Sequence, residues 1–237
     1  MSKYYSTEEL EGMGEAVVMK FYGSGINDIP EYVDIVALAS GLFGLTVINR
    51  RIMEDHKKQG FLSDGKYPLE IMEGSKVKKV VYPKGTIVID SKLLAGDPGR
   101  RRFCIAHEVA HYILNGPVEA CFKDEFDKTD DYKIEELKKM FSPTEYQVDN
   151  LAAALLMPRH VFCYSVASVF GNKKIPVYGN HIFRPADQIR IQQLKKKLGV
   201  SFTALFIRLK NYGFLEEHTY EEYLENEVGA VGPDRYL

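Results

Sequence analysis

Apolar residues recur along the chain at two spacings, and the changes between them predict its elements. Between residues 6 and 22 the spacing is three to four. Leu10, Met13, Ala16, Val17 and Phe21 form one stripe behind Ser6 or Thr7 as cap, which predicts a first helix ended by Gly23-Ser24-Gly25. Pro30 to Gly44 reads as a second helix with Val33, Val36, Ala37 and Leu38 inward. The pattern then turns to strands at Leu45–Ile48, Gly60–Leu62 and, most clearly, the β-branched run Thr86–Asp90 behind Pro83 and Gly85. Residues 64–79 follow neither spacing and stay open.

Helical spacing returns in Arg100–Gly116, with Asp97 as N-cap, Pro98 in the first turn and Gly116-Pro117 as the stop. Phe103, Ile105, Ala106, Val109, Ala110, Ile113 and Leu114 make that helix apolar nearly all round. Lys123–Lys133, rich in Asp and Lys, predicts a surface loop, and Ile134–Met140 a short helix. Ser142-Pro143-Thr144-Glu145 is a strong helix start; Val148, Leu151, Ala152, Leu155 and Leu156 continue it to Pro158. The last third is predicted helical: Ala186–Leu198 and Phe202–Tyr212, joined by Gly199-Val200-Ser201, a turn spacing found in helix-turn-helix units. The expected fold is α+β, a small mixed sheet packed on helices over residues 1–170, followed by a helical region over 171–237.

Composition narrows this picture without directing it. The 237 residues, 45% apolar and 27% charged, suit one well-cored domain with a helical appendage. A net charge of −2 gives no global attraction to nucleic acid or anionic membrane, and no apolar run is long enough to span a bilayer. Three cysteines, Cys104, Cys121 and Cys163, fit neither a disulfide framework nor a C-x-x-C site, so a reducing cytoplasm is the expectation.

The chemistry lies in His107-Glu108-Val109-Ala110-His111. Residues four apart share a helix face, so the two imidazoles can grip one zinc ion, with the Glu108 carboxylate beside it to handle water. A strand leading at once into such a helix suits a zincin. Zinc in a catalytic site takes three protein ligands, and Glu145 is the candidate third. Asp149, four residues on, can accept the outer N–H of one histidine and fix its orientation. The competing reading makes Glu145 the reciprocal partner of Ser142 in a capping box, and the spacing leaves both open. For steadying an oxyanion, Tyr112, His160, Tyr178 and His181 are candidates among which spacing does not choose. His56 and His218 sit among charges and are expected in solvent.

Two blocks carry a resemblance. Arg102-Phe103-Cys104-Ile105-Ala106-His107-Glu108-Val109-Ala110-His111 and Glu145-Tyr146-Gln147-Val148-Asp149, closing in Leu155-Leu156-Met157-Pro158, resemble the ImmA/IrrE family of bacterial and phage metallopeptidases. The likeness covers about residues 30 to 215. It implies a zincin-like fold and a zinc ion on His107, His111 and Glu145, with Glu108 as the catalytic glutamate. The E-x-x-x-D spacing also resembles the gluzincin arrangement, which supports Asp149. Members of this family cleave or otherwise inactivate helix-turn-helix repressors of mobile-element or stress genes. The implied function is therefore a zinc-dependent endopeptidase with such a repressor as protein substrate. The alternatives are a zinc-stabilised anti-repressor that binds without cutting and a DNA-binding regulator. Against specific DNA binding stand the stripe Ile189, Leu194, Leu198, Leu205 and Leu209, which would bury the helix pair, and an acidic tail from Glu216.

Overall fold

The computed structural model describes residues 4–23, 29–53, 58–115, 121–124, 142–179 and 181–225, with 121–124 described by their backbone. Ser24, Gly25, His56, the stop at Gly116-Pro117, most of the loop expected over 123–133 and the helix expected over 134–140 lie outside these residues. The chain divides into two compact units. One comprises residues up to Phe162 with Leu198–Ser201; the other comprises Cys163–Lys197 and the residues from Phe202 onward.

The first unit opens with α1 (Thr7–Tyr22), started by a complete Ser6–Glu9 capping box. Its buried face is Leu10, Gly14 and Val18, whereas the expected stripe ran through Met13, Ala16 and Val17. The reason is Gly14: a Cβ there would lie 2.5 Å from the Cβ of Ala154, so the closest approach falls where no side chain advertises it. Helix propensity favours Ala over Gly by about 1 kcal/mol, but overpacking costs about 1–3 kcal/mol. Gly14→Ala should therefore lower the thermal midpoint. Gly12→Ala, on the same helix with nothing within 4 Å, should raise it. Melting both variants beside the parent checks the two opposite signs.

The next helix, α2 (Ile35–Phe43), begins five residues later than the expected Pro30, because the Asp34 carboxylate accepts from the amides of Val36 and Ala37 and caps it there. That start turns Ile35, Leu38 and Ala39 inward and leaves Val36 exposed.

The strands β1 (Thr46–Ile52), β2 (Lys58–Leu62), β3 (Pro68–Glu73), β4 (Lys76–Val81), β5 (Thr86–Asp90) and β6 (Cys121–Asp124) form one mixed sheet in the order β4-β3-β1-β5-β2-β6. β1 and β5 are parallel, with Thr46 opposite Thr86, and the other pairings are antiparallel. The open stretch 64–79 is thus mostly the β3–β4 hairpin, turning at Gly74 with φ 63°. Lysines on the exposed edge strand β4 hid its period and guard its unpaired backbone. One sheet face packs as Ile52, Phe61, Leu69, Ile71, Tyr82 and Val88.

A short 3-10 turn at Ser91–Leu94 leads from β5 into α3 (Pro98–Asn115), which lies against β2 and β5. Asp97 caps α3 through the amide of Gly99 at 2.8 Å. A Cβ on Gly99 would sit 2.2 Å from the carbonyl carbon of Val200, so the backbone of Leu198–Ser201 closes directly over the first turn of α3. Buried Arg102 donates to Val33 O at 2.7 Å and stacks 3.6 Å from the Tyr32 ring centre. Helix α4 (Pro143–Leu156) buries Val148, Leu151, Ala152, Leu155 and Leu156 against α1 and α3. Helix α5 (Arg159–Phe170) follows.

The second unit is not wholly helical. A two-stranded parallel sheet of β7 (Ile175–Tyr178) and β8 (Leu215–His218) accompanies α6 (Pro185–Leu198), α7 (Phe202–Asn211) and the short α8 (Tyr220–Tyr223). On α6 the inward positions are Ile191 and Leu194, while Ile189 is 61% exposed, a correction of one stripe position. No single helix among the described residues is long and apolar enough to cross a membrane.

Candidate metal centre

Helix α3 carries the two histidines of the motif one turn apart. Their Nε2 atoms stand 3.1 Å apart. On α4, Ser142 Oγ accepts from the amide of Glu145 and caps the helix. The Glu145 carboxylate turns to the histidines: Oε2 lies 3.3 Å from His107 Nε2 and Oε1 3.5 Å from His111 Nε2. One ligand atom from each of His107, His111 and Glu145 lies within 4.8 Å of the others.

The outer nitrogen of His107 meets Asp149 Oδ1 at 2.7 Å. A carboxylate only accepts, so Nδ1 carries a proton, and Nε2 is the nitrogen turned toward Glu145 and His111. Burial pushes the Glu145 carboxyl up, but hydrogen bonds and charge from His107 and His111 outweigh it and hold it well below its ordinary range. A carboxylate and two imidazole nitrogens gathered at these distances make a donor set that a divalent cation fits, once it displaces any proton between them.

Glu108 lies between the two histidines in sequence, three residues before His111 and so on the same side of α3. It is fully buried, and a Cβ built on Gly60 of β2 would come within 2.7 Å of its Oε1. No motif or apolar stripe singles out Gly60; a glycine inside a strand pattern is the one signal that could have found it.

The other candidates make contacts of their own. His160 Nδ1 is 2.9 Å from Glu15 Oε1 on α1. The Tyr112 ring packs on Phe43 at 5.6 Å. Tyr178 and His181 belong to the second unit: Tyr178 stacks on His218 at 5.2 Å, and His181, at φ 70°, packs 4.1 Å from the ring of Phe206. His218 is 29% exposed and, as expected, sits among charges, with Glu216 and Glu222 beside its nitrogens, while its ring also stacks on Tyr178.

A mixed sheet feeding directly into a histidine-bearing helix, with a carboxylate supplied by a separate capped helix, defines a zincin-like α+β fold. The chain belongs to the IrrE N-terminal-like domain family, peptidase family M78, whose family model matches residues 66–210. It is therefore a member of a metallopeptidase family, and its described residues include a triad able to hold a metal. No curated protein matches it. A solved Mycobacterium tuberculosis transcriptional regulator is similar over 86% of this chain and 46% of its own length, at 17% identity and a TM-score of 0.42. This chain thus spans about half of that one.

Proposed function

We propose that the protein is a zinc-dependent endopeptidase that cuts a helix-turn-helix repressor. The convergence of His107, His111 and Glu145 within 4.8 Å carries this reading, together with membership of a peptidase family. Zinc held by these three residues would supply Lewis acidity for water and for a scissile carbonyl. Asp149 keeps the His107 ring in one tautomer and one orientation. Glu108 takes the proton from the attacking water and returns it to the leaving amine, a role worth about 10²–10⁴-fold.

The same reading gives no role in sequence-specific DNA recognition to the α6–α7 pair. Arg208, one of the basic residues that could have served it, is 3% exposed and stacks over Tyr212.

The test is incubation of the zinc-loaded protein with the helix-turn-helix repressor encoded nearest to its gene, with and without chelator. Cleavage in the zinc form alone supports the proposal. A stable complex with the repressor intact in both arms would replace it with sequestration. Asp149→Ala should leave the fold standing and weaken zinc binding by about 10–100-fold, the usual cost of losing a ligand's outer partner. Competition against a calibrated zinc chelator reads that change, and an unchanged affinity removes Asp149 from the site.

A further inference from the structure

The structure holds an irregularity beside Glu108. On one side β2 pairs regularly with β5, Gly60 opposite Ile89 and Phe61 opposite Val88. On the other side Lys58 lies opposite Asp124 but Gly60 opposite Lys123, so two steps along β2 meet one along β6. The extra residue is Gln59.

In a regular strand consecutive residues face opposite sides, and a bulge relieves that alternation. Both Gln59 and Gly60 here address α3. The Gln59 side chain is buried, and its Oε1 accepts from Cys104 Sγ at 3.3 Å and from Arg100 Nε at 3.4 Å. Arg100, Cys104 and Glu108 are spaced by four on α3, and His107 and His111 follow Cys104 and Glu108 by three, so all five lie on one broad side of the helix. The Cβ direction of Gly60 runs into Glu108: 2.7 Å to its Oε1, 3.4 Å to Cγ and 3.5 Å to Cδ. Phe61 then turns to the opposite sheet face, among Ile71 and Val88.

We propose that this bulge is the device that positions the Glu108 carboxylate. Gly60 leaves the space the carboxylate occupies, and Gln59 fixes the bulge to α3 one turn before it. The proposal rests on the peptidase reading for its catalytic meaning, with Gly60 as a positioning residue. A methyl group at Gly60 must displace the carboxylate, because a neighbour cannot stay 2.7 Å from a carbon. A misplacement of about 1 Å costs a catalytic group about 10²-fold in rate.

Four chains test it: the parent, Gly60→Ala, Glu108→Ala and the double variant. Three quantities are read, namely zinc content, thermal midpoint after chelation, and cleavage kinetics. Zinc content should be equal in all four, since no ligand is touched. In kinetics Gly60→Ala should lower kcat by about 10²-fold with KM unchanged. The decisive reading is the midpoint: Gly60→Ala should lower it when Glu108 is present and lower it less, or not at all, when Glu108 is Ala. Folding of the double variant where Gly60→Ala alone fails would support the proposal equally. Equal losses in both backgrounds, or failure of both to fold, would overturn it, because the space at Gly60 would then not belong to Glu108. Should the parent cleave nothing, the peptidase reading falls, while the midpoints still decide whether the bulge places the carboxylate.

Discussion

Glu108→Gln should abolish cleavage while the protein keeps its zinc. Glutamine matches glutamate in volume and shape, which matters where the side chain is fully buried and fills the space a Cβ at Gly60 would take. The amide cannot accept and return a proton, so kcat should fall by at least the 10²–10⁴-fold range of a general acid-base group. His107, His111 and Glu145 are unchanged, so metal content should equal that of the parent. The surface that docks the substrate is also unchanged, so the repressor should still bind. In cells carrying a reporter under that repressor, the variant should leave the repressor at full length and the reporter silent. Full induction with an intact repressor would mean that capture, not cutting, relieves repression.

Glu145→Ala should empty the site. The parent holds two imidazole nitrogens 3.1 Å apart with one carboxylate closing the third side. Two histidines alone leave a divalent ion short of the three protein ligands its catalytic sites use. The loss of zinc affinity should therefore exceed the 10–100-fold expected for Asp149→Ala, and cleavage should go with it. The same variant separates two roles for one residue. Ser142 caps α4 through the backbone amide of Glu145, a bond the substitution retains. Were the carboxylate instead serving as a capping partner, the variant would keep its zinc and lose about 0.5–2 kcal/mol of stability. Zinc titration and melting of the chelated protein tell these outcomes apart.

The parts of the site that could be read in the sequence are those with local spacing. His107 and His111 share a face because residues four apart in a helix must, and Glu145 and Asp149 do so for the same reason. Caps were equally legible: Ser6, Asp97 and Ser142 each start a helix through side-chain acceptors. What escaped depends on contacts between distant segments. Gly60 and Gly14 carry no side chain to show a period, yet each marks where one element comes closest to another. The strand Leu215–His218 is half acidic and pairs in parallel with Ile175–Tyr178, a partner no local pattern announces. In the α6–α7 pair, a choice between Ile189 and Ile191 is decided by the tertiary core, not by hydrophobicity.

The strap formed by Leu198–Ser201 over Gly99 has a consequence for biosynthesis. The unit that carries the metal centre is not one continuous stretch of chain, since it ends at Phe162 and resumes at Leu198. Chains emerge from the ribosome N-terminus first, at about 5–20 residues per second. The helix bearing His107 and His111 is made early, but the segment that closes over its first turn arrives only after the whole of the second unit's first stretch, Cys163–Lys197, has been translated. A nascent chain halted before residue 198 would hold both histidines, the glutamates and the whole six-stranded sheet, and would still lack the backbone that seats the start of its histidine-bearing helix.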